Sequence, residues 1–495
     1  MASQFEGSGV LARLSPELFE AVLQNLDLAS LLQLRLVSHG ISKRCLGPHF
    51  KALIEAIPVT TDLSAESLRD LDERASHPWL GCTVKNLTVT ALVYHSWMLQ
   101  AMSWADSRWG KVGGRQLTDE EKAAADVRAA KAKVDLEWMQ ARIEEYDNQD
   151  NWPTIAESLA SILRKLGRLD SLKLDARYVR ERDDSGGPLL ELIKDIDHPM
   201  SVQPSVSRVL CIVTQAMVQS RVQVDSLVIY SGTECCNVDA VGAADQMERL
   251  GDAFDYVTRQ IRSYSLSFFT WTPKYPGCYF GPTVAPVECD GRLGRDDEVE
   301  AMQPETPNGV AAMLMRMPRL TAIDLHQYYD FGNKLERLPG IFSMVAGVRL
   351  PLLERVVLRG LFANQKDLLG FLAKHPLIKS LDLRRLRLTS GSWDAVCAYI
   401  SGEMPSLEHL RLSKLWGGLM LNLDPVDERF AASIDDGDKD RVLLLCDGSR
   451  FVHTREITME EMRDGLRFKD RPRGLSLNTR EYWDFAHTLK VEYHC

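Results

Sequence analysis

A six-residue pattern recurs along this chain and constrains its fold more than any other feature. The pattern carries apolar residues, mostly aliphatic, at its first, fourth and sixth positions. It occurs as VKNLTV at 84–89, LDSLKL at 169–174, VDSLVI at 224–229, LTAIDL at 320–325, LERVVL at 353–358, IKSLDL at 378–383 and LEHLRL at 407–412, and more weakly as SYSLSF at 263–268. Its last three positions alternate with a period of two, which predicts short strands with one buried face.

Helical patterns precede these hexads, and prolines separate several of the helices from the strands. Such helical patterns lie at 156–163 and 367–372, and prolines precede four of the strands, at Pro318, Pro351, Pro376 and Pro405. Proline ends a helix and favours an extended entry into the next strand. From Leu325 onwards the sixth positions of successive hexads are 33, 25 and 29 residues apart, whereas the three intervals before Leu325 are 55, 39 and 57 residues.

This alternation resembles a degenerate leucine-rich repeat over residues 59–421. The resemblance implies an α/β fold, an irregular leucine-rich-repeat-like solenoid with a parallel sheet. An ordinary α/β domain with parallel strands and right-handed helical crossovers is the alternative.

Three segments depart from the repeat. A helical insertion is predicted at about 116–150, where Thr118 and Glu121 fit a capping box, and it is either edge-packed or a partner-binding helix. Six prolines predict a long loop at about 270–308. Residues 422–495 are interpreted as a terminal cap that covers the last repeat.

The first 58 residues carry a different pattern of short amphipathic helices. Ser15 can cap a helix that begins at Pro16, and Glu17 lies where the helix dipole favours a negative charge. Asp27 offers a second cap. So short a segment cannot bury all of its leucines by itself, which predicts that a neighbour covers part of this apolar surface.

This segment resembles a three-helix F-box, in the variant found in filamentous ascomycetes. The family pattern is a leading leucine, Pro-Glu, an aliphatic pair, further leucines and a closing Val-Ser, here Val37 and Ser38. The resemblance implies an adaptor-binding surface made by Leu14, Pro16, Glu17, Leu18, Val22, Leu26, Leu31 and Leu34. Ile41 stands where many F-boxes carry an aromatic residue. Similarity to the same fungal group continues at 61–63 and 77–81. A generic helical cap is the alternative.

F-boxes bind a Skp-type adaptor, and through it a cullin scaffold and a RING ubiquitin ligase. The resemblance therefore implies a substrate-receptor subunit of an SCF complex that is not itself an enzyme and needs no cofactor. The alternative from another class is a protein-interaction scaffold with no role in ubiquitin transfer.

Composition limits the other function classes. The net charge of −10 disfavours nucleic-acid binding. The sequence carries neither a signal-peptide pattern nor an apolar run of the length that spans a membrane, so we expect a cytoplasmic or nuclear protein. Phosphate-binding, dinucleotide, nucleophile-elbow and zinc-protease motifs are missing, and the ten cysteines lack metal-ligand spacing, so no catalytic, cofactor or metal site is predicted.

Arginines cluster on the last three strands and predict a substrate-binding surface. The strand positions that point away from the core, together with their flanks, include Arg355, Arg359, Arg384, His409 and Arg411. Guanidinium groups bind carboxylate and phosphate groups bidentately, which suggests an acidic or phosphorylated peptide as the ligand. Ordinary solvated charge, partly neutralised by Asp382, is the alternative.

Overall fold

The structure is a computed structural model in which a defined set of residues can be described. These residues are 10–94, 99–100, 111–112, 115–116, 118–182, 188–192, 202–231, 236, 238–269, 309–327, 341–431, 438, 440–444 and 450–470. The proline-rich segment predicted as a loop at 270–308 lies outside these residues. So does the end of the predicted terminal cap, from residue 471 onwards.

One mixed but mostly parallel sheet organises the chain. Its main strands are β1 Val59–Thr61, β2 Asn86–Tyr94, β3 Arg168–Arg182, β4 Gln223–Ile229, β5 Ser263–Phe269, β6 Ala322–Gln327, β7 Arg355–Arg359, β8 Ser380–Arg384, β9 His409–Ser413 and β10 Thr454–Ile457. These strands are hydrogen-bonded in the same order as they occur along the chain. Neighbouring strands from β1 to β9 are parallel, and β10 is antiparallel to β9. Each predicted hexad overlaps one of these strands, so the strand predictions are confirmed.

Shorter strands extend or flank this sheet. Pro188–Leu192 pairs antiparallel with β3, and Val238–Asp239 pairs parallel with β5. Separate pairs join Lys111–Val112 with Arg115–Gln116, Phe362–Asn364 with Arg387–Ser390, and Val442–Leu444 with Arg450–Val452.

Helices surround this sheet, and those that connect successive strands form a layer on one of its faces. The helices are α1 Val10–Arg13, α2 Pro16–Leu23, α3 Leu28–Arg35, α4 His39–Arg44, α5 Pro48–Ala56, α6 Ala65–Ser76, α7 Asp119–Asp147, α8 Trp152–Leu166, α9 Gln203–Ser220, α10 Ala240–Thr258, α11 Gly309–Met315, α12 Ile341–Gly347, α13 Gln365–Lys374, α14 Trp393–Glu403, α15 Glu428–Ala431 and α16 Met459–Asp464. Because the strands follow chain order and such crossovers are right-handed, the connecting helices fall on the same face. Successive helices from α8 to α14 accordingly pack against each other.

The core lies between the sheet and this helical layer. Leu325, Leu358, Leu383 and Leu412 stand in register across four strands, and each is at most 1% exposed. Burying one such side chain stabilises the fold by about 1.5–3 kcal/mol. The alternation predicted from the hexads therefore places its aliphatic positions in one continuous core.

The turn from helix to strand is repeated in four consecutive units. The backbone N–H of the first hexad residue donates to a carbonyl three residues earlier: Leu320 to Met317 at 3.2 Å, Leu353 to Leu350 at 3.2 Å, Ile378 to His375 at 3.3 Å and Leu407 to Met404 at 3.1 Å. The prolines at 318, 351, 376 and 405 lie inside these turns. Proline has the φ angle that the second position of such a turn requires, and each strand starts at the same distance from its turn.

Helix α7 forms the predicted insertion and begins with the predicted capping box at Thr118. It packs on the face of the sheet opposite the helical layer, where Met139 contacts a cluster that includes Leu92 and Val179. Asp135, buried on this helix, accepts a hydrogen bond of 2.8 Å from Arg182. Val127 and Val134 of this helix are 70% and 51% exposed.

The segment after β9 covers the end of the sheet. Strand β10 pairs with β9, and α16 follows it and packs against α14. Arg455 and Glu461 form a buried bidentate ion pair in this segment, at 2.8 and 2.7 Å. Within the described ranges, no helix has the length and apolarity that crossing a membrane requires.

Candidate interaction surfaces

Side-chain caps define the helices of the amino-terminal unit, which comprises α1 to α5. The Ser15 hydroxyl accepts from the Leu18 N–H at 3.4 Å, and Pro16 occupies the first turn of α2. Asp27 accepts from the Ser30 N–H at 2.8 Å and starts α3. Ser38 caps α4 in the same way. The two caps predicted at Ser15 and Asp27 are confirmed, and each such cap stabilises its helix by about 1 kcal/mol.

The amino-terminal unit has a closed core of its own. The buried residues of this core are Phe19, Leu23, Leu31, Ile41, Cys45 and Phe50. Arg44 lies 4.2 Å from the centroid of the Phe19 ring and donates to the Leu14 carbonyl at 2.7 Å, which holds α4 against the start of α2. Phe50 stacks on Trp79 and so connects the unit to the segment that follows.

The predicted adaptor-binding residues divide into two groups. Pro16 and Glu17 are exposed, and Leu18 and Val22 are 59% and 38% exposed. Leu14, Leu26 and Leu34 are half-buried against the core, and Leu31 is fully buried in it. Leu31 therefore holds the helices together, and its side chain does not reach the surface.

Three further exposed apolar residues were missed by the sequence reasoning. Leu32, Leu36 and Val37 are 44%, 80% and 67% exposed. Leu32 and Leu36 are four residues apart and lie on one side of α3 and its carboxyl end, since residues at this spacing share a helix face. The signal was present in the four leucines of α3, Leu28, Leu31, Leu32 and Leu34, because one helix side cannot bury all of them.

The predicted substrate residues lie on one face of the sheet, which we call the open face because it is opposite the helical layer. Strand register arranges β7, β8 and β9 in three rows on this face: Arg355, Ser380 and His409; Val357, Asp382 and Arg411; and Arg359, Arg384 and Ser413. Neighbours within a row are about 4.8 Å apart along the sheet. All five predicted residues are thus brought together on three adjacent strands.

Two of these five side chains are neutralised by aspartates on the open face. Arg359 donates to both carboxylate oxygens of Asp324, at 2.9 and 2.7 Å, and also to the Ser231 carbonyl. Arg384 forms a bidentate pair with Asp382, whose hydrogen bond raises the pKa of Arg384. Burial raises the pKa of Asp324 despite the neighbouring Arg359. The pair between Arg384 and Asp382 agrees with the alternative interpretation of this surface as ordinary charge that Asp382 partly neutralises.

The other three side chains keep uncompensated hydrogen-bonding capacity. Arg355 and His409 are exposed, and Arg411 is half-buried with an Nε atom that lacks a hydrogen-bond partner. Among the described residues, Arg355 and Arg411 make no ion pair, although Glu456 stands opposite Arg411 in the register of β9 and β10. This Nε atom is itself buried, so a ligand oxygen reaches it only if neighbouring atoms move.

His326 adds no positive charge to the open face. It stands beside Arg359 in the strand register, and burial, together with Arg359 and Arg385, lowers its pKa to about 3. Its ring is therefore neutral at physiological pH, and its Nδ1 lies 3.5 Å from the Ser267 hydroxyl. In the part of the chain described, no three His, Cys, Asp or Glu side chains come together as a metal site would require.

Comparisons with known proteins add no family assignment. No family model matches the chain, and no curated protein matches it.

Proposed function

We propose that this chain is a non-catalytic substrate receptor of an SCF-type ubiquitin ligase. In this proposal the amino-terminal unit is an F-box that binds a Skp-type adaptor, and through it a cullin, while the open face binds a protein substrate. Bringing a substrate next to a charged ubiquitin carrier raises its effective concentration there, so the receptor itself needs no catalytic group. The cytoplasm or nucleus is the compartment expected for such an assembly.

One observation carries the proposal: the amino-terminal unit closes its own core and still exposes large apolar side chains. Leu18, Val22, Leu32, Leu36 and Val37 are not needed to fill the interior. Leu18 and Val22 lie one turn apart on α2, as do Leu32 and Leu36 on α3 and its carboxyl end, and adjacent exposed apolar side chains are typical of surfaces that bind another protein. Burying each of them against an adaptor would contribute about 1.5–3 kcal/mol.

The strand order supports the second part of the proposal, a solenoid of leucine-rich-repeat type. Strands that pair in chain order, helices on one face and a turn repeated in four units are the features that stacked repeats produce. On the opposite face of the strands, the described residues place α7 beside β2 and β3. Arg355, His409 and Arg411 would contact an acidic or phosphorylated substrate there.

The experiment is isolation of the tagged protein from its own cells, followed by measurement of co-purified adaptor and cullin. The test variant combines Leu18→Asp and Leu36→Asp. The matched control combines Val127→Asp and Val134→Asp, which also replace exposed aliphatic side chains and leave no cavity. We expect the amount of adaptor that co-purifies with the test variant to fall by about tenfold or more, and the amount that co-purifies with the control to stay unchanged.

The outcomes separate the candidate functions. Adaptor and cullin together support the receptor, and adaptor without cullin supports the scaffold. If neither adaptor nor cullin co-purifies, the amino-terminal helices only cap the sheet. Full adaptor binding by the folded Leu18→Asp and Leu36→Asp variant would overturn the proposed interface.

A further inference from the structure

A cleft opens on the helical side of the molecule, at the edge where the strands begin. It lies between the carboxyl ends of α10 and α11 and has a volume of about 620 Å³. Its polar wall includes Asp255, Arg259, Arg316 and Arg319, and its apolar wall includes Met315 and Pro318. This cleft is separate from both surfaces of the proposed function, and the inference does not depend on that function.

Positive charge exceeds negative charge in this cleft. Asp255 pairs with Arg316, so one of the three arginines is neutralised. Arg319 donates to the amide oxygen of Gln260 at 2.6 Å, and the nearest hydrogen-bond acceptor of Arg259 is the Asp255 backbone carbonyl, at 3.5 Å. Both of these acceptors are uncharged. The charges of Arg259 and Arg319 are therefore left uncompensated.

A further arginine, Arg221, lies beside the cleft and contacts an aromatic ring. Arg221 and Arg259 each lie 5.8 Å from the centroid of Tyr256, which is 49% exposed. Across the described ranges, Arg221, Arg259 and Arg319 make no ion pair. Cation–π contacts and the Gln260 bond fix the positions of these like charges, but they do not neutralise them.

We propose that this cleft binds a phosphate monoester carried by a peptide. A phosphate dianion would neutralise Arg259 and Arg319, whose planar guanidinium groups match its oxygens bidentately. Met315, which is 65% exposed, and Pro318 supply an apolar surface for the adjoining peptide chain. A polynucleotide is disfavoured as the ligand, because the chain carries a net charge of −10 and repels an extended polyanion.

Fluorescence polarisation with the full chain tests this proposal. The probes are a labelled peptide library with a fixed central phosphoserine and the same library with unmodified serine. The test variant is Arg259→Glu with Arg319→Glu. The control is Arg128→Glu with Arg164→Glu, which makes the same change of net charge at two exposed arginines on other helices. Among the described residues, neither of these two arginines forms an ion pair. Both pairs lie at the surface, and unchanged circular dichroism verifies their folding.

We expect the phosphorylated library to bind the wild-type protein, with weaker binding at higher salt. The test variant should lose affinity by about tenfold or more, and the control should change it by less than about twofold. Replacement of both cleft arginines by lysine keeps the charge but removes the planar fork, so an intermediate loss is expected. Equal binding of the two libraries, equal losses in the test and control variants, or binding of single-stranded nucleic acid alone would each overturn the proposal.

Discussion

His375 ties a helix of one repeat to the turn of the preceding one, and its replacement tests the packing of the repeats. The ring is 1% exposed, and its Nε2 accepts from the Leu350 N–H at 3.0 Å. The Nδ1 atom must then carry the proton and donate to the Phe371 carbonyl, 2.7 Å away. The ring also packs on the Phe371 side chain, with centroids 4.5 Å apart.

The cost of His375→Ala can be worked out from these contacts. Leaving the buried Leu350 N–H without an acceptor costs about 1–3 kcal/mol. Loss of the ring contact with Phe371 adds about 1 kcal/mol. We therefore expect the free energy of unfolding to fall by about 2–4 kcal/mol, measured by urea denaturation followed by circular dichroism.

The same contacts give a pH dependence with a defined sign. Burial lowers the pKa of His375 below its ordinary value of 6.5, an effect that the Phe371 carbonyl opposes. As the pH falls below about 6.5, this histidine becomes protonated in the unfolded chain but stays neutral in the native protein, so the free energy of unfolding decreases. We expect His375→Ala to remove this part of the acid sensitivity between about pH 7 and pH 5.

His409→Ala is the control for both measurements, because His409 is exposed and lies on the strand of the following repeat. It should change stability by less than about 0.5 kcal/mol. A similarly small effect of His375→Ala, or unchanged acid sensitivity in that variant, would refute the assignment of the two hydrogen bonds.

Three other predictions concern contacts elsewhere in the molecule. Glu461→Gln leaves its buried arginine partner uncompensated, so urea denaturation should show a loss of about 3–5 kcal/mol. Leu31→Ala opens a cavity in the amino-terminal core and should cost about 2–5 kcal/mol, whereas Leu36→Ala should leave stability within about 0.5 kcal/mol of wild type. Charge reversal at Arg355 and Arg411 should abolish binding of an acidic or phosphorylated substrate; unchanged binding in a pull-down would reject the open face as the substrate surface.

The strands could be predicted from sequence because their signals are local. A hexad such as that at 378–383 contains its own alternation, and Pro376 marks its beginning. The antiparallel strand β10 carries no such hexad, and its pairing with β9 depends on a segment about 40 residues further along the chain. Strand β1 was missed because three residues are too few to show an alternation.

The inner and outer sides of α3 could not be predicted, because chemically identical residues occupy both. Leu31 and Leu36 differ only in what the folded chain places next to them, the first against the core and the second against solvent. A similar limit applies to α7. Its buried side contains Ala132 and Met139, and its Asp135 is buried only because Arg182 reaches it from β3.

Alternation along a strand predicted the open face, but register decided its charge. The sequence places Arg359 on that face by its parity alone. Its neutralisation requires Asp324, which is 35 residues away in the chain and lies on the neighbouring strand. Sequence reasoning could identify the Asp382 neighbour of Arg384, since these two residues belong to one strand. The pair between Arg359 and Asp324 joins two strands and could not be predicted from the sequence.

The surfaces of the proposed receptor draw on separate sets of contacts. The amino-terminal unit closes its core with residues of α2 to α5, and the open face is held by the leucine ladder of β6 to β9. Helix α7 covers that face only near β2 and β3, so β7 to β9 are not covered by it. Surface substitutions at α2 and α3 should therefore act additively with those at Arg355 or Arg411, because distant residues without shared partners contribute independently.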